Sequence, residues 1–522
     1  MKLKHDRYRL TDNDSPSGFA ACLKSLGDVD NAPARTVKTR FFDTFDWRLF
    51  DNKVSVCVGS GERDPQVSIS NLASNKTVAT IHSDLPTGFA SDFPEGRIRD
   101  LMNGFIDVRR LLPRLDVTSR QTPITLRDKE GKVVLRIGVE KCRVQIPGRA
   151  RTVALGTYLT LQPVRGYAKI DTKARALLQT GFALHPCATP LFIEGFKALG
   201  VCPGDYSSRL RLDLDQAMTS NAAARQVHLT LLNTMTRNED GIAANTDPEF
   251  LHDFRVAVRR TRSALGQLDK GVLPAAVIAK ARKDFRWIGQ QTNQMRDLDV
   301  YLIDYPILRS ALPNSYKSYL QPFQDYLIAQ SRKESRRLAA MIRGKRYLRI
   351  RDNWRGYLTE GFKKDKKAVQ ADMPVKYLAN DRIWKAYRRV MKEGGMIDND
   401  SPAEALHAFR ITCKKLRYFL EFFRNLYPPR EFGKLVKSLK HFQDVLGEFQ
   451  DTEVQSLAIL NFGRLMALAG VAPTETQMAM GMVAESILLR QGAARSMFFK
   501  RFEAFSRSAV KASFAKLFKN KE

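Results

Sequence analysis

The sequence predicts an α+β multidomain protein, β-rich in its first part and all-α thereafter. Three observations carry this. The residue texture changes near position 204, a helical unit occurs twice beyond that point, and 522 residues exceed several-fold the ~150 of a typical domain. The expected domains are 1–204 and 205–522, with repeat halves of about 205–365 and 366–522.

Up to residue 204 the runs RTVKTRFFDTF, KVSVCVG, PQVSISNL, TPITLRDKEGKVVLRIGVEKCRVQI and TVALGTYLTLQPV read as strands. Their β-branched and aromatic residues come in short blocks separated by Gly, Pro, Asp or Asn. A hairpin is expected to turn at Asp128 to Gly131. After VCPGDYSS the pattern becomes helical, with few Gly, Pro-containing interruptions and Arg or Lys on every turn.

Charge narrows the partner. There are 86 Lys and Arg against 55 Asp and Glu, a formal +31, and both domains carry an excess of base. Such a field attracts nucleic acid, anionic lipid or an inorganic polyanion, and composition does not choose among them. No apolar run reaches the ~18 residues of a membrane span, so a transmembrane protein is excluded. The opening MKLKHDRYRL is followed by no apolar core or cleavage signal, so a cytoplasmic location is expected. Cys22, Cys57, Cys142, Cys187, Cys202 and Cys413 are scattered without a CxxC pair, which points to reduced thiols rather than disulfides or zinc. No metal and no cofactor are expected.

The segment LHDFRVAVRRTRSAL (251–265) matches LHAFRITCKKLRYFL (406–420) with six identities in fifteen positions. Further on, Lys280, Lys283 and Arg286 pair with Lys434, Lys437 and Lys440, and Asp297 pairs with Asp451. A fainter echo, at a drifted offset, pairs Arg332, Arg337 and Arg343 with Arg490, Arg495 and Arg501, and Arg336 joins them among the candidate site residues. Two copies of one helical unit account for this. At about 100° per residue, His252, Arg255, Arg259 and Arg262 share one face, opposite Phe254, Ala257, Val258, Thr261, Ala264 and Leu265. The second copy repeats the stripe with His407, Arg410, Lys414 and Arg417, against Phe409, Cys413, Leu416, Phe419 and Leu420. The preceding DPEF and SPAEA offer Asp and Ser caps, which would place each His in the first helical turn.

A single basic amphipathic helix is usually a solvated face, but such a face needs no particular residue at any position. Recurrence of His and of cations three, seven and ten positions after it therefore favours two cationic walls around one extended anion. Each His has a second reading, as a half-buried group bonded to a backbone or carboxylate partner. Asp297 and Asp451 fit orienters of Arg and Lys better than general bases.

At these two segments, and at DPE, RDLDV and FQDVLGEFQD, the chain resembles the CHAD family, the conserved-histidine α-helical domain, over most of 210–515. The resemblance implies two pseudo-symmetric four-helix bundles around a basic groove or pore that binds inorganic polyphosphate without catalysis. Association with polyphosphate granules is implied too. The first domain is similar to CYTH domains, the antiparallel β-tunnels of triphosphate-processing enzymes, at RFFDTFDWRLF, TSRQTPITLRDKEGKVVLRIGVEKCRV and YLTLQPVRGYAK. It departs from them where their chemistry lies. The ExExK opening is replaced by KLKHDRYRL with only Asp6 nearby, Val54, Val56, Ser68 and Ser70 stand where cations are expected, and Thr160 and Gln162 where carboxylates are. Arg120, Arg136 and Arg165 remain. The expectation is a degenerate, inactive relative.

Two competing readings follow. A nucleic-acid-binding protein fits the charge, but the repeated faces lack interleaved aromatics to stack bases, so nucleic acid is expected only as a weaker, non-specific competitor. An inorganic triphosphatase would need the missing carboxylates, with Asp6 and Glu140 the nearest candidates.

Overall fold

The computed structural model describes residues 7–11, 15–60, 65–74, 76–85, 87–187, 189–360, 367–398 and 400–519. The chain divides into two compact units, Met1–Ser207 and Ser208–Glu522, an antiparallel-sheet domain followed by a helical one. Asp6 and the start of the KLKHDRYRL segment lie outside the described residues.

In the first unit the strands are β1 (Arg7–Arg9), β2 (Asp28–Asn31), β3 (Arg35–Asp43), β4 (Val54–Ser60), β5 (Gln66–Asn71), β6 (Lys76–His82), β7 (Leu112–Arg127), β8 (Val133–Gln145), β9 (Thr152–Pro163) and β10 (His185–Pro186). They form one antiparallel sheet in the order β10, β1, β9, β8, β7, β3, β4, β5, β6, with β2 on β7. Among the described residues no ladder joins the two ends of this order. Helices α1 (Pro16–Leu23), α2 (Arg48–Asp51), α3 (Arg97–Ile106), α4 (Ala168–Gly181) and α5 (Leu191–Leu199) cover the sheet. The β7–β8 hairpin turns where Asp128 predicts it. The Asp128 carboxylate accepts the N–H groups of Glu130 and Lys132, and Gly131 takes the positive φ of +77° that the turn requires.

Cross-strand partners share a face of a sheet, and the register separates residues that the sequence had grouped. Val56 lies opposite Ile69, whereas Cys57 lies opposite Ser68 and Ser55 opposite Ser70. Val56 is buried with Val67 and Ile69 against Leu49 of α2 and Met102 and Ile106 of α3. The β4 residues that accompany Ser68 and Ser70 are thus Cys57 and Ser55, not Val54 and Val56. Alternation along β4 turns Ser55 and Cys57 to one face and Val54 and Val56 to the other, an assignment that only the pairing with β5 makes.

The second unit contains α6 (Ser220–Ala243), α7 (Pro248–Gln267), α8 (Ala275–Gln291), α9 (Asn293–Ser310), α10 (Gln321–Arg343), α11 (Lys345–Glu360), α12 (Val375–Gly394), α13 (Ala403–Phe422), α14 (Pro429–Leu468), α15 (Thr474–Ser506) and α16 (Ser508–Phe518). The repeat reads directly onto this order: α6 and α12, α7 and α13, α8 with α9 and the single long α14, α10 and α15, α11 and α16. Within each half the helix after the repeat's first packs on its predecessor, α7 on α6 and α13 on α12. Phe254 and Phe409, equivalent in the repeat, are both buried. An apolar core of Tyr301, Tyr305, Phe323 and Leu327 from α9 and α10 with Ile459, Met466, Val483 and Ile487 from α14 and α15 ties the two halves together.

The helix starts differ from the capping expected. Asp247 does cap α7, its carboxylate accepting the Glu249 N–H at 3.0 Å, with Pro248 as first helical residue. At α13 the flanking residue is Pro402, and the Ser401 hydroxyl instead donates to Asp398. Both helices begin four residues before their His, which places His252 and His407 at the opening of the second turn rather than in the first.

Helices α6 and α7 approach closely at Gly241, where an added Cβ would lie 2.1 Å from the Phe250 ring. Overpacking of this kind costs ~1–3 kcal/mol, against at most ~1 kcal/mol returned by the better helix propensity of Ala. Gly241→Ala is therefore expected to lower the thermal midpoint of the helical unit, followed by circular dichroism.

Candidate functional site

The two stripes found in the repeat come together. Helix α7 lies beside α13, and the Arg260 guanidinium reaches across to Glu421, donating at 2.7 and 3.0 Å to one carboxylate oxygen. Glu421 also pairs with Arg417 on its own helix at 3.2 Å. The Lys414 ammonium on α13 is held down to about 8, first by burial and then by the charges of Arg410, Arg259 and Arg417, while Asp451 opposes them. Arg259 belongs to α7, so a cation of one stripe acts on a cation of the other.

Each stripe is anchored at its first Arg. Arg410 donates to Asp451 of α14 at 3.0 Å. In the first half Arg255 donates to the Thr292 hydroxyl at 2.7 Å, to the Asn293 side-chain oxygen at 2.9 Å and to the Gly289 carbonyl at 3.3 Å. These groups lie where α8 ends and α9 begins, so the break in the first half supplies what Asp451 supplies in the unbroken α14. Asp297 attracts Arg255 electrostatically, as its repeat partner Asp451 does Arg410. Burial and then the neighbouring Arg259 pull Arg255 down to about 10. Burial lifts Asp297, and lifts the adjacent Asp299 to about 7, although Arg255 and Arg296 oppose both shifts.

The remaining sequence candidates are distributed as follows. Arg262 and Arg286 repel one another from α7 and α8, and Lys283 is exposed one turn before Arg286. Lys280 turns toward α11, its Nζ 5.5 Å from the Tyr357 ring. Lys434, Lys437 and Lys440 are exposed along the first turns of α14. His407 bonds the Gln450 side-chain oxygen through Nδ1 at 2.6 Å, and His252 is half-buried at the equivalent place. Arg337 fastens α10 to the end of α8 through Gln291 and pairs with Glu334. Arg332 and Arg336 stay exposed on α10 and Arg501 on α15. Arg490 acts on Asp304, which also accepts from Gln455 at 3.1 Å, and Arg495 donates to the Ser401 carbonyl before α13.

Three residues of this arrangement escaped the sequence reading. Arg296 stands opposite Gln450 in the repeat, Arg260 opposite Lys415, and Glu421 opposite Gly266. A search for what two copies share passes over groups that differ between them.

Residues 226–459 match the CHAD domain model. The matched residues span α7 and α13, and hence both stripes. No curated protein matches the chain. Among solved structures, the CHAD domain from the plant Ricinus communis is 22% identical, with 59% of this chain and 96% of that one covered at a TM-score of 0.44. PptA from Streptomyces chartreusis is 15% identical, covering 55% and 99% at 0.41. A putative adenylyl cyclase from Hippeastrum, described as having a dominant triphosphatase activity, is 13% identical, covering 39% and 99% at 0.26.

In the sheet unit one face collects Arg35, Gln121, Glu140 and Tyr158 in successive strands, with Arg136 opposite Gln162 and Thr160 opposite Gly138. Arg120 pairs with Lys141 and Thr36 and therefore points to the other face. A cavity of about 530 Å³ on the first face is lined by Arg35, Thr39, Cys57, Ser68 and Gln121. Glu194 is occupied by Tyr158 Oη at 2.7 Å and by Arg7 at 3.7 Å. Burial lifts the Glu140 carboxyl while Arg7 opposes it. Among the described residues no group of three or more His, Cys, Asp or Glu is placed to hold a metal ion.

The Arg255 clasp is open to a direct test. Thr292→Val removes the shortest of the three bonds that the half-buried Arg255 guanidinium donates, while Asn293 and Gly289 still accept from it, which costs about 0.5–1.5 kcal/mol. Denaturant unfolding should show that loss, and the same substitution should cost less in an Arg255→Ala background, where the hydroxyl has no guanidinium to receive.

Proposed function

We propose that the CHAD domain binds inorganic polyphosphate, without catalysis, along the paired stripes of α7 and α13. The observation that carries this reading is that α7 and α13 lie side by side, tied by Arg260 to Glu421, so that the cationic stripes of the two repeat copies adjoin. Half-buried cations of both stripes repel one another with few acids to compensate, so an anion placed between them relieves a cost already present in the folded chain. A linear polyphosphate offers a charge at every unit and can lie along both stripes at once. Arg255, Arg259, Arg410, Lys414 and Arg417 form the centre of the site, with Arg262 and Arg286 beside them. Lys283, Lys434, Lys437 and Lys440 and the Arg residues of α10 and α15 extend it, and polyphosphate granules are a fitting location. His407, bonded through Nδ1 to the Gln450 side-chain oxygen, stands one turn before Arg410 at the end of its stripe, and His252 takes the equivalent place in the other. Nucleic acid competes through the same charges but gains no stacking there.

The test is affinity for long-chain polyphosphate at physiological salt, with single-stranded RNA as competitor. Two charge-assisted contacts at ~1.5–3 kcal/mol each make Arg255→Ala/Arg410→Ala at least ~100-fold weaker. Equal displacement by RNA, or indifference to the double substitution, would reduce the site to a general basic surface.

Lys414 sets a pH dependence of known sign. Its ammonium is depressed to about 8 in the free protein, and a bound polyanion favours the charged form. Above pH ~8 binding must therefore take up a proton, so affinity falls as pH rises from 7 to ~9.5. Titration calorimetry at the two pH values should show this, and Lys414→Arg should flatten it.

The sheet unit is proposed to be inactive as a triphosphatase. Incubation with tripolyphosphate and Mg2+ or Mn2+ should release no phosphate above background, and release that Glu140→Gln abolishes would establish an enzyme.

A further inference from the structure

The far end of the α14–α15 hairpin has a composition unlike the rest of the chain. Residues 454–489 contain three charged side chains, Arg464, Glu475 and Glu485, in a protein whose formal charge is +31. In place of charge this segment exposes apolar groups. On α14 Val454 is 54% exposed, Leu457 63% and Leu468 86%, and on α15 Met478 is 59% exposed, Met482 38% and Leu489 70%.

Helical spacing shows that this is a face. At about 100° per residue Val454, Leu457 and Leu468 fall on one side of α14, opposite Ile459 and Met466, and Met478, Met482 and Leu489 fall on one side of α15, opposite Val483 and Ile487. The opposing residues are the ones buried in the core that joins the two repeat halves. Both helices are therefore apolar on two sides, one side filled and the other unpartnered. Summed over these six residues the exposed area is on the order of 700 Å², close to the ~800 Å² each partner gives a standard interface.

We propose that this face pairs with the same face of a second copy of the chain. Charge selects that occupant. Two molecules of +31 repel over most of their surfaces, but the hairpin ends carry a local charge near −1 and can meet without that cost. The same lack of cations leaves nothing to attract acidic lipid or a polyanion here. A two-helix antiparallel hairpin is also suited to a twofold axis, since two such hairpins close into a four-helix arrangement in which each apolar stripe meets its counterpart. The long, unbranched Met478 and Met482 can adapt their packing across the axis.

Sedimentation velocity on the full chain, under reducing conditions and at ~0.3 M salt to screen the general repulsion, decides the matter. The wild type should sediment at twice the chain mass at low micromolar concentration, and Leu457→Glu/Leu489→Glu should sediment as a monomer with an unchanged circular dichroism spectrum. Should that variant fold poorly, Leu457→Ser/Met482→Ser should weaken the dimer at least ~10-fold, each lost side chain being worth ~1 kcal/mol or more. A wild type that stays monomeric up to ~50 µM, where an interface of micromolar affinity would be filled, overturns the proposal. So does a dimer that neither variant weakens, or association that appears only with lipid vesicles. None of these readouts depends on polyphosphate, so this inference and the proposed function fail separately.

Discussion

Like charges held close together at half-buried positions are the constraint around which the helical unit is arranged. Helices α7 and α13 both turn cations toward a common side, and Coulomb's law alone would separate them. Three features resist that separation. The backs of both helices are apolar, with Phe254, Ala257 and Val258 on one and Phe409, Cys413 and Leu416 on the other, all buried. Glu421 accepts from Arg260 of the opposite helix, with their side chains 25% and 12% exposed, a setting where a forked charged pair holds better than on an open surface. The core shared by α9, α10, α14 and α15 locks the halves together away from the stripes. What remains uncompensated is carried by Lys414 and Arg255, whose protons are held less tightly than usual.

The pseudo-symmetry is one of chemistry more than of geometry. In the second half α14 runs unbroken from Pro429 to Leu468, and Asp451 on it receives Arg410. In the first half the corresponding stretch ends at Gln291 and restarts at Asn293, and the Thr292 hydroxyl, the Asn293 amide oxygen and the Gly289 carbonyl receive Arg255. Two different constructions hold equivalent guanidinium groups, one with a charged partner and one with neutral ones. Arg255 consequently loses more to desolvation than it regains.

How much of this could be read from residues alone depended on whether a signal was local. The stripes were legible because identities recurring at helical spacing mark a face without any knowledge of packing. Arg260 and Glu421 were not, because their pairing exists only once α7 lies beside α13, and Glu421, opposite Gly266, has no like partner in the other copy. In the sheet unit the Asp128–Gly131 turn was legible, since one carboxylate and one positive-φ glycine specify it. The partition of Val56 from Ser68 was not, because register between two strands is set by their pairing and not by either strand alone.

The boundary between charged and uncharged regions of α14 follows from the same physics. Its first turns carry Lys434, Lys437 and Lys440 and border the stripes, while from Val454 onward charge almost disappears. A helix 40 residues long spans about 60 Å at 1.5 Å per residue, several Debye lengths at physiological salt. Its two ends therefore experience different fields within one rigid element. Cations massed at the far end as well would repel one another locally and oppose the apolar core that joins the halves there. Concentrating them at one end leaves the other free to be apolar on its inner side, where it supplies Ile459 and Met466 to that core, and on its outer side as well. Segregation of charge along α14 thus permits a strongly cationic surface and a cohesive apolar joint to be built from the same helix.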